Sequence, residues 1–388
     1  MTRACTISWT GSLLIAAILL ALARNAVLSA PVPKDTPSIA VKFADKMAIP
    51  DIAIESAAFI DESKVVVVGT KANKDGEDAN KLEPNGAILD LIKKDHAPFT
   101  NGHKARIGTV SVSGNRIVTS SNALDPTVRI WDVKKGKTIY EIKIEEPGEG
   151  CHQYGVACFH KSGRVAVAAR QKLIVIDPAK SDDRSEYDIP NNSAWLGEEL
   201  AVSSDDTWIA APALKGHATF WSVASKKASS ISLIPEKAEV EDQWRSSGVV
   251  FGTRGTLFAW RVNSSGEVPE KMAEADVSAE RRGVVQIDTS SKRVLPRKIG
   301  HGNSTLSCAI DPTGEWMATG GSSHKDMPLT ADTSTSELRI YHLPTGTLVH
   351  REQLEGLPLN KVAFSPSGKR LIATTYDGTV RWWDVGAK

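Results

Sequence analysis

The chain has 388 residues, with 47 Lys and Arg against 46 Asp and Glu and a formal net charge of +1. That length exceeds one small hydrophobic core and suits a single large closed β-architecture. No Lys/Arg-rich run dominates any segment, which argues against nucleic acid as a partner, because that partner needs a concentrated basic face.

Residues 1–30 read as a targeting segment. Arg3 makes a positive start, and residues 13–23 (LLIAAILLALA) form an apolar run of signal-peptide length. The run is short for a membrane span of about 20 residues. Ala21-Leu22-Ala23 offers a cleavage site. The expectation is an exported protein, periplasmic or secreted. The alternative is a membrane anchor formed by residues 4–23, which carry no charge. Residues 31–37 are a short polar linker, and residues 38–44 (SIAVKFA) alternate Ile39, Val41 and Phe43 on one strand face.

Beyond this strand, one pattern recurs: an apolar strand, a turn, a β-branched strand, and a third strand ending on an apolar–polar pair. The clearest copy is residues 362–385, VAFSPSGKRLIATTYDGTVRWWDV, with turns at residues 365–368 and at Asp377-Gly378. Third strands end at Leu89-Asp90, Trp131-Asp132, Ile176-Asp177, Trp221-Ser222, Ile287-Asp288, Tyr341-His342 and Trp383-Asp384. Four cysteines, Cys5, Cys151, Cys158 and Cys308, contain no Cys-x-x-Cys pair. Extended chain between Cys151 and Cys158 would hold them too far apart for a disulfide. Cys158 and Cys308 fall in predicted strands and read as small buried thiols.

These repeats resemble WD40 repeats, whose length is about 40–45 residues with four strands per propeller blade. The resemblance implies an all-β, seven-bladed WD40-like β-propeller over residues 38–388. Its ring would be closed by the N-terminal strand pairing with the last blade, burying two sheet edges. It also implies a hydrogen-bonded set of His, Ser/Thr, Asp and Trp in well-kept blades. Blade 2 supplies His103, Thr119 or Ser120, Asp125 and Trp131; blade 6 keeps His301 with Tyr341 in the Trp place; blade 7 keeps Asp377 and Trp383. A catalytic reading of His103 and Asp125 with a serine lacks a Gly-x-Ser-x-Gly elbow.

Extra length falls between second and third strands, at residues 71–85, 263–282 and 321–336, in blades 1, 5 and 6. In a propeller these loops share a rim with the blade-joining loops. Pro269 and the Ala/Glu/Lys/Arg-rich residues 270–282 predict a short helix there. On that face the sequence offers a contact patch of Arg106, Tyr154, Trp195, Trp244, Lys361 and Tyr376. The bland alternative is that Trp195 and Trp244 anchor loops inward. By resemblance, the expected function is a non-catalytic protein-interaction scaffold outside the cytoplasm, without metal or cofactor. The alternative is a lactonase-like or glycan-active hydrolase, or a propeller holding a small ligand. His96, His152, His160 and His324 fit no metal-ligand spacing.

Overall fold

Each predicted strand triplet gains a fourth, outer strand. In a computed structural model, the described residues are 38–72, 83–100, 102–122, 124–144, 155–159, 161–169, 172–190, 199–213, 216–234, 244–263, 283–297, 299–301, 304–323 and 335–387. They form seven antiparallel four-stranded sheets. Blade 1 is β2 (Ile52–Phe59), β3 (Lys64–Lys71), β4 (Pro84–Asp90) and β5 (Asp95–Pro98). Blade 2 is β6 (Ile107–Ser113), β7 (Arg116–Ser121), β8 (Thr127–Asp132) and β9 (Lys137–Lys143). Blade 3 is β10 (Gly155–Cys158), β11 (Val165–Ala169), β12 (Lys172–Asp177) and β13 (Lys180–Asp188). Blade 4 is β14 (Ala201–Val202), β15 (Trp208–Ala213), β16 (His217–Ser222) and β17 (Ala228–Ser232). Blade 5 is β18 (Trp244–Phe251), β19 (Thr256–Asn263), β20 (Val284–Asp288) and β21 (Arg293–Pro296). Blade 6 is β22 (Ser304–Ile310), β23 (Trp316–Ser323), β24 (Thr335–His342) and β25 (Thr347–Leu354). Blade 7 is β26 (Leu359–Phe364), β27 (Arg370–Thr375) and β28 (Thr379–Ala387), completed by β1 (Ile39–Ala48). Third strands in blades 1 to 6 end on the residues read from the sequence.

The N-terminal strand closes the ring. It pairs antiparallel with β28, Ile39 opposite Ala387 and Ala48 opposite Thr379, with a bulge between Phe43 and Asp45. The strand runs past the predicted residue 44 because β28 offers a long partner edge. Phe43 meets Trp383 edge-on, with ring centroids 5.8 Å apart.

The core is a ring of interfaces. Seven apolar clusters form, each straddling one pair of neighbouring blades. Second strands are covered on both faces, and their sequences show it: Val65 to Val68 of β3 are all buried. Outer strands have one wet face, so β9 alternates.

Aromatic residues ending third strands reach the preceding blade. Trp221 Nε1 donates to Asp188 O at 2.9 Å and Trp383 Nε1 to a Glu352 carboxylate oxygen at 2.8 Å. Tyr341 Oη donates to Gly300 O at 2.7 Å, and Trp131 packs edge-on against Phe99 at 5.3 Å. The expectation that Trp383 completes a polar set within its own blade is therefore corrected: its indole N–H goes to Glu352 of blade 6.

First strands run from a loop face, bearing blade-joining and second-to-third-strand loops, to a turn face bearing the hairpin turns. All seven first strands line an axial channel. The 1–30 segment, the linker 31–37, Cys151 and the predicted blade 5 helix lie outside the described residues. Among the described residues, no helix is long and apolar enough to cross a membrane. Cys308 is a buried free thiol.

The turn glycines separate two kinds of constraint. Gly378 has φ +85°, and a Cβ there would lie 2.5 Å from Ile49 O; Gly346 has φ +69° with open space around it. Gly346→Ala should cost about 1–2 kcal/mol, the left-handed backbone penalty alone. Gly378→Ala should lower the thermal unfolding midpoint clearly further, because it also pushes on the chain entering blade 1. Equal shifts in calorimetry would contradict the close approach.

Candidate functional site

The loop-face mouth of the channel is a polar cavity of ≈ 220 Å³ whose lining includes Glu55, Ser56, Thr109, Glu199, Cys308 and Lys361. Two ion pairs organise it. Arg106, just before β6, pairs with Glu55 of β2 at 2.7 Å, joining blades 1 and 2. Lys361 of β26 meets Glu199, just before β14, at 2.5 Å. Blades 4 and 7 are as far apart as a seven-membered ring allows, so this second pair is a crossbar over the axis. Gly248 makes room for it: a Cβ there would lie 2.6 Å from Glu199 Oε2 and 2.0 Å from the Trp260 ring. Burial, reinforced by the Glu199 charge, pushes the Cys308 thiol pKa well above its ordinary value. That thiol stays protonated and is no nucleophile. Among the described residues, no cluster of His, Cys, Asp and Glu is arranged to hold a metal ion.

The six residues of the sequence-derived patch separate. Arg106 and Lys361 each pair with a carboxylate that lines the channel mouth, Glu55 and Glu199. Tyr376 is exposed at the loop face, in the turn between β27 and β28. Trp244 opens β18 at the loop-face end, opposite Asn263. Tyr154 and Trp195 lie outside the described residues. The sequence reading missed Leu124, which is 61% exposed and one residue before Asp125, as Tyr376 is one before Asp377. Equivalent turns of blades 2 and 7 thus present an apolar side chain on the same face.

In blade 2, His103, Asp125 and Thr119 form one buried hydrogen-bonded group. His103 Nδ1 donates to Asp125 Oδ2 at 3.0 Å, and the Thr119 hydroxyl donates to Nε2 at 2.9 Å. Lys104 N–H and the Thr127 hydroxyl also donate to Asp125. Burial opposes the Asp125 charge, but hydrogen bonds from His103, Lys104 and Thr127 outweigh it and hold the pKa at about 2.

Blade 6 solves the same problem differently. Glu337, inside β24, replaces the turn aspartate, and its longer side chain accepts from His301 Nδ1 at 3.0 Å. Arg339 pairs with Glu337 at 2.8 Å, and Arg351 also donates to it. Burial raises the Glu337 pKa, and the His301 hydrogen bond and the Arg339 charge bring it down to about 2. His301 is wholly buried, which lowers its pKa. The Thr319 hydroxyl, counterpart of Thr119, has no hydrogen-bond partner among the described residues. In blade 7, Asp377 accepts from the Thr375 hydroxyl and Thr379 N–H. Asn360 of β26 accepts from Thr374 and donates to Ile54 O of blade 1.

Blades 2, 6 and 7 share one more feature that the sequence reading passed over. Arg129, Arg339 and Arg381 each lie two residues before the third-strand aromatic. Arg339 donates to Gly300 O at 2.7 Å and Arg381 to Glu355 O at 3.0 Å, and Arg129 lies against Gly102. Blades 1, 3, 4 and 5 have Ala87, Ile174, Thr219 and Val285 there.

Comparison with known proteins finds similarity in segments that include the first two strands of these three blades. The family described as "WD domain, G-beta repeat" (WD40) matches residues 97–132, 292–326 and 346–384. Three of the seven blades thus contain segments similar to WD40 repeats. The chain is 23% identical over 333 residues to ribosome biogenesis protein ERB1 of Saccharomyces cerevisiae, covering 79% of this chain and 38% of that protein. It is 24% identical over 293 residues to eukaryotic translation initiation factor 3 subunit I of Botryotinia fuckeliana, covering 72% and 79%. It is 25% identical over 292 residues to the Aspergillus oryzae subunit I. The chain thus spans well under half the length of the ERB1 relative it matches. These relatives correct the expectation of export: they are named for ribosome biogenesis and translation initiation, which are intracellular processes.

The depressed carboxyl pKa values fix a pH dependence. Glu337 moves from 4.5 to about 2, so its stabilisation is complete above pH 4.5 and is lost as pH falls towards 2. Glu337→Gln should be about 3 kcal/mol less stable at pH 7, since it leaves two arginines short of a buried partner. Its unfolding midpoint should then fall less than that of the unmodified chain between pH 5 and pH 3. Parallel midpoint-against-pH curves by circular dichroism would contradict this assignment.

Proposed function

We propose that this chain is a non-catalytic scaffold inside the cell that seats a protein partner on the loop face of its propeller. The observation that carries this reading is the state of the channel mouth. Both carboxylates there are tied up by cations, Glu55 by Arg106 and Glu199 by Lys361. General acid–base chemistry needs a titratable group free to meet substrate. A rigid, charge-balanced floor flanked by exposed Leu124 and Tyr376 instead suits docking, in which a few apolar and aromatic anchors carry most of the affinity. Membership of translation initiation factor 3, stated in the names of two relatives, supports a place within an assembly. Segments similar to WD40 repeats in three blades support the same reading.

Leu124→Ala with Tyr376→Ala should reduce recovery of crosslinked partners from the native host about tenfold or more, at unchanged melting temperature. Unchanged recovery from the double variant would remove the loop face from the account.

A further inference from the structure

The charge that is thinly spread along the sequence is not evenly spread around the ring. On the turn face, register aligns Ser113 with Arg116, Arg116 with Asp132, and Asp132 with Lys137, so both hairpin turns of blade 2 share one edge. Asp177 opposite Lys180 marks the same edge of blade 3. Arg116 joins the two blades there, donating to Gly163 O at 2.8 Å. Within these turns, residues 113–116, 132–137, 161–164 and 177–180 hold seven cations: Arg116, Lys134, Lys135, Lys137, Lys161, Arg164 and Lys180. They hold two carboxylates, Asp132 and Asp177, and each accepts a backbone N–H of its own turn. The corresponding turns of blade 6 carry Asp311 and Glu315 and no Lys or Arg, and those of blade 1 carry four acids against three lysines.

Lys134, Lys137, Lys161 and Lys180 are exposed and make no ion pair among the described residues. Asp206 of blade 4 reaches the edge of the patch, where it accepts the backbone N–H groups of Lys161 and Ser162 at 2.9 Å. Asp183, on β13, is an exposed acid near the patch. Between the cations, Gly114 and Gly136 leave open space above the backbone. None of the exposed large apolar side chains lies in these turns; Ile139 on β9 comes nearest in sequence.

We propose that the turn face of blades 2 and 3 binds the phosphodiester backbone of a nucleic acid. Cations from several turns neutralise phosphates and release counterions, a driving force that needs charge and no apolar anchor. A protein partner would need such an anchor at the centre of its interface. Among the described residues of these turns no aromatic ring is exposed for bases to stack on, so contact is with the backbone and is independent of sequence. This surface lies on the face opposite the proposed protein-docking site, so either assignment can fail alone.

The test is fluorescence anisotropy of the full chain with a labelled 20-nucleotide poly(U) RNA and a poly(dT) DNA, across 50–200 mM salt. Binding of either or both supports the proposal and tells which backbone is held. With about four phosphates engaged, log affinity should fall against log salt with a slope of about −3. Lys134→Glu/Lys137→Glu/Lys161→Glu should weaken binding about tenfold or more and flatten that slope by about 2. Lys64→Glu/Lys93→Glu/Lys369→Glu, which makes the same net change on blades 1 and 7, should leave affinity within about twofold. Absence of binding to both probes at 50 mM salt overturns the proposal, as does equal loss in the blade 1 and 7 variant. Displacement of the probe by polyglutamate at matched charge would assign the patch to an acidic protein instead.

Discussion

The pairing of β1 with β28 is the constraint on which everything else rests. Blade 7 has three strands of its own, and its last edge would lie open without residues from the start of the described chain. An open edge is more than a local defect here. Each apolar cluster lies between two blades, so a ring that opened at blade 7 would leave the faces of blades 7 and 1 half-covered. The closing strand is held by backbone register along its length and by Phe43 against Trp383. Contacts from the turn face tie the same seam: Ser367 donates to Glu62, and Arg370 donates to Glu62 O.

Blades differ in what holds their turns to their sheets. Blades 2, 6 and 7 use buried polar groups, with His103–Asp125, His301–Glu337 and Asn360–Thr374 at their centres. Each buried charge must be paired or it costs several kcal/mol, so these blades are tightly specified. The other four lack the third-strand arginine and rely on apolar packing, as in the run of valines in β3. Such packing tolerates many side chains of similar volume. Family resemblance lies in residues 97–132, 292–326 and 346–384, while the ring itself is regular.

Strand placement was legible because a third strand ends where apolar alternation stops, and that signal survives in Ile176-Asp177 as well as in Trp383-Asp384. Ring closure was legible because a spare alternating strand preceded the first blade. Polar detail was less so. Glu337 was invisible because it sits within a strand, several residues from where a turn aspartate would be sought, and only the fold shows that its side chain reaches His301. Arg106 and Lys361 were found, but their partners Glu55 and Glu199 lie far away in sequence, so cations read as a contact patch became a closed mouth. The basic sector escaped for the same reason: its cations come from four separate turns, and no window along the chain contains them all.

Disulfide trapping tests the closed ring most directly. Lys42 and Asp384 are opposite one another in the closing register, and both are exposed. Lys42→Cys with Asp384→Cys should oxidise readily to an intramolecular bond between those two positions, confirmed by peptide mass, and should raise the unfolding temperature. Lys42→Cys with Arg381→Cys, which is out of register, should not form the bond under the same conditions. Failure of the in-register pair to crosslink, or equal crosslinking of both pairs, would contradict the closed ring.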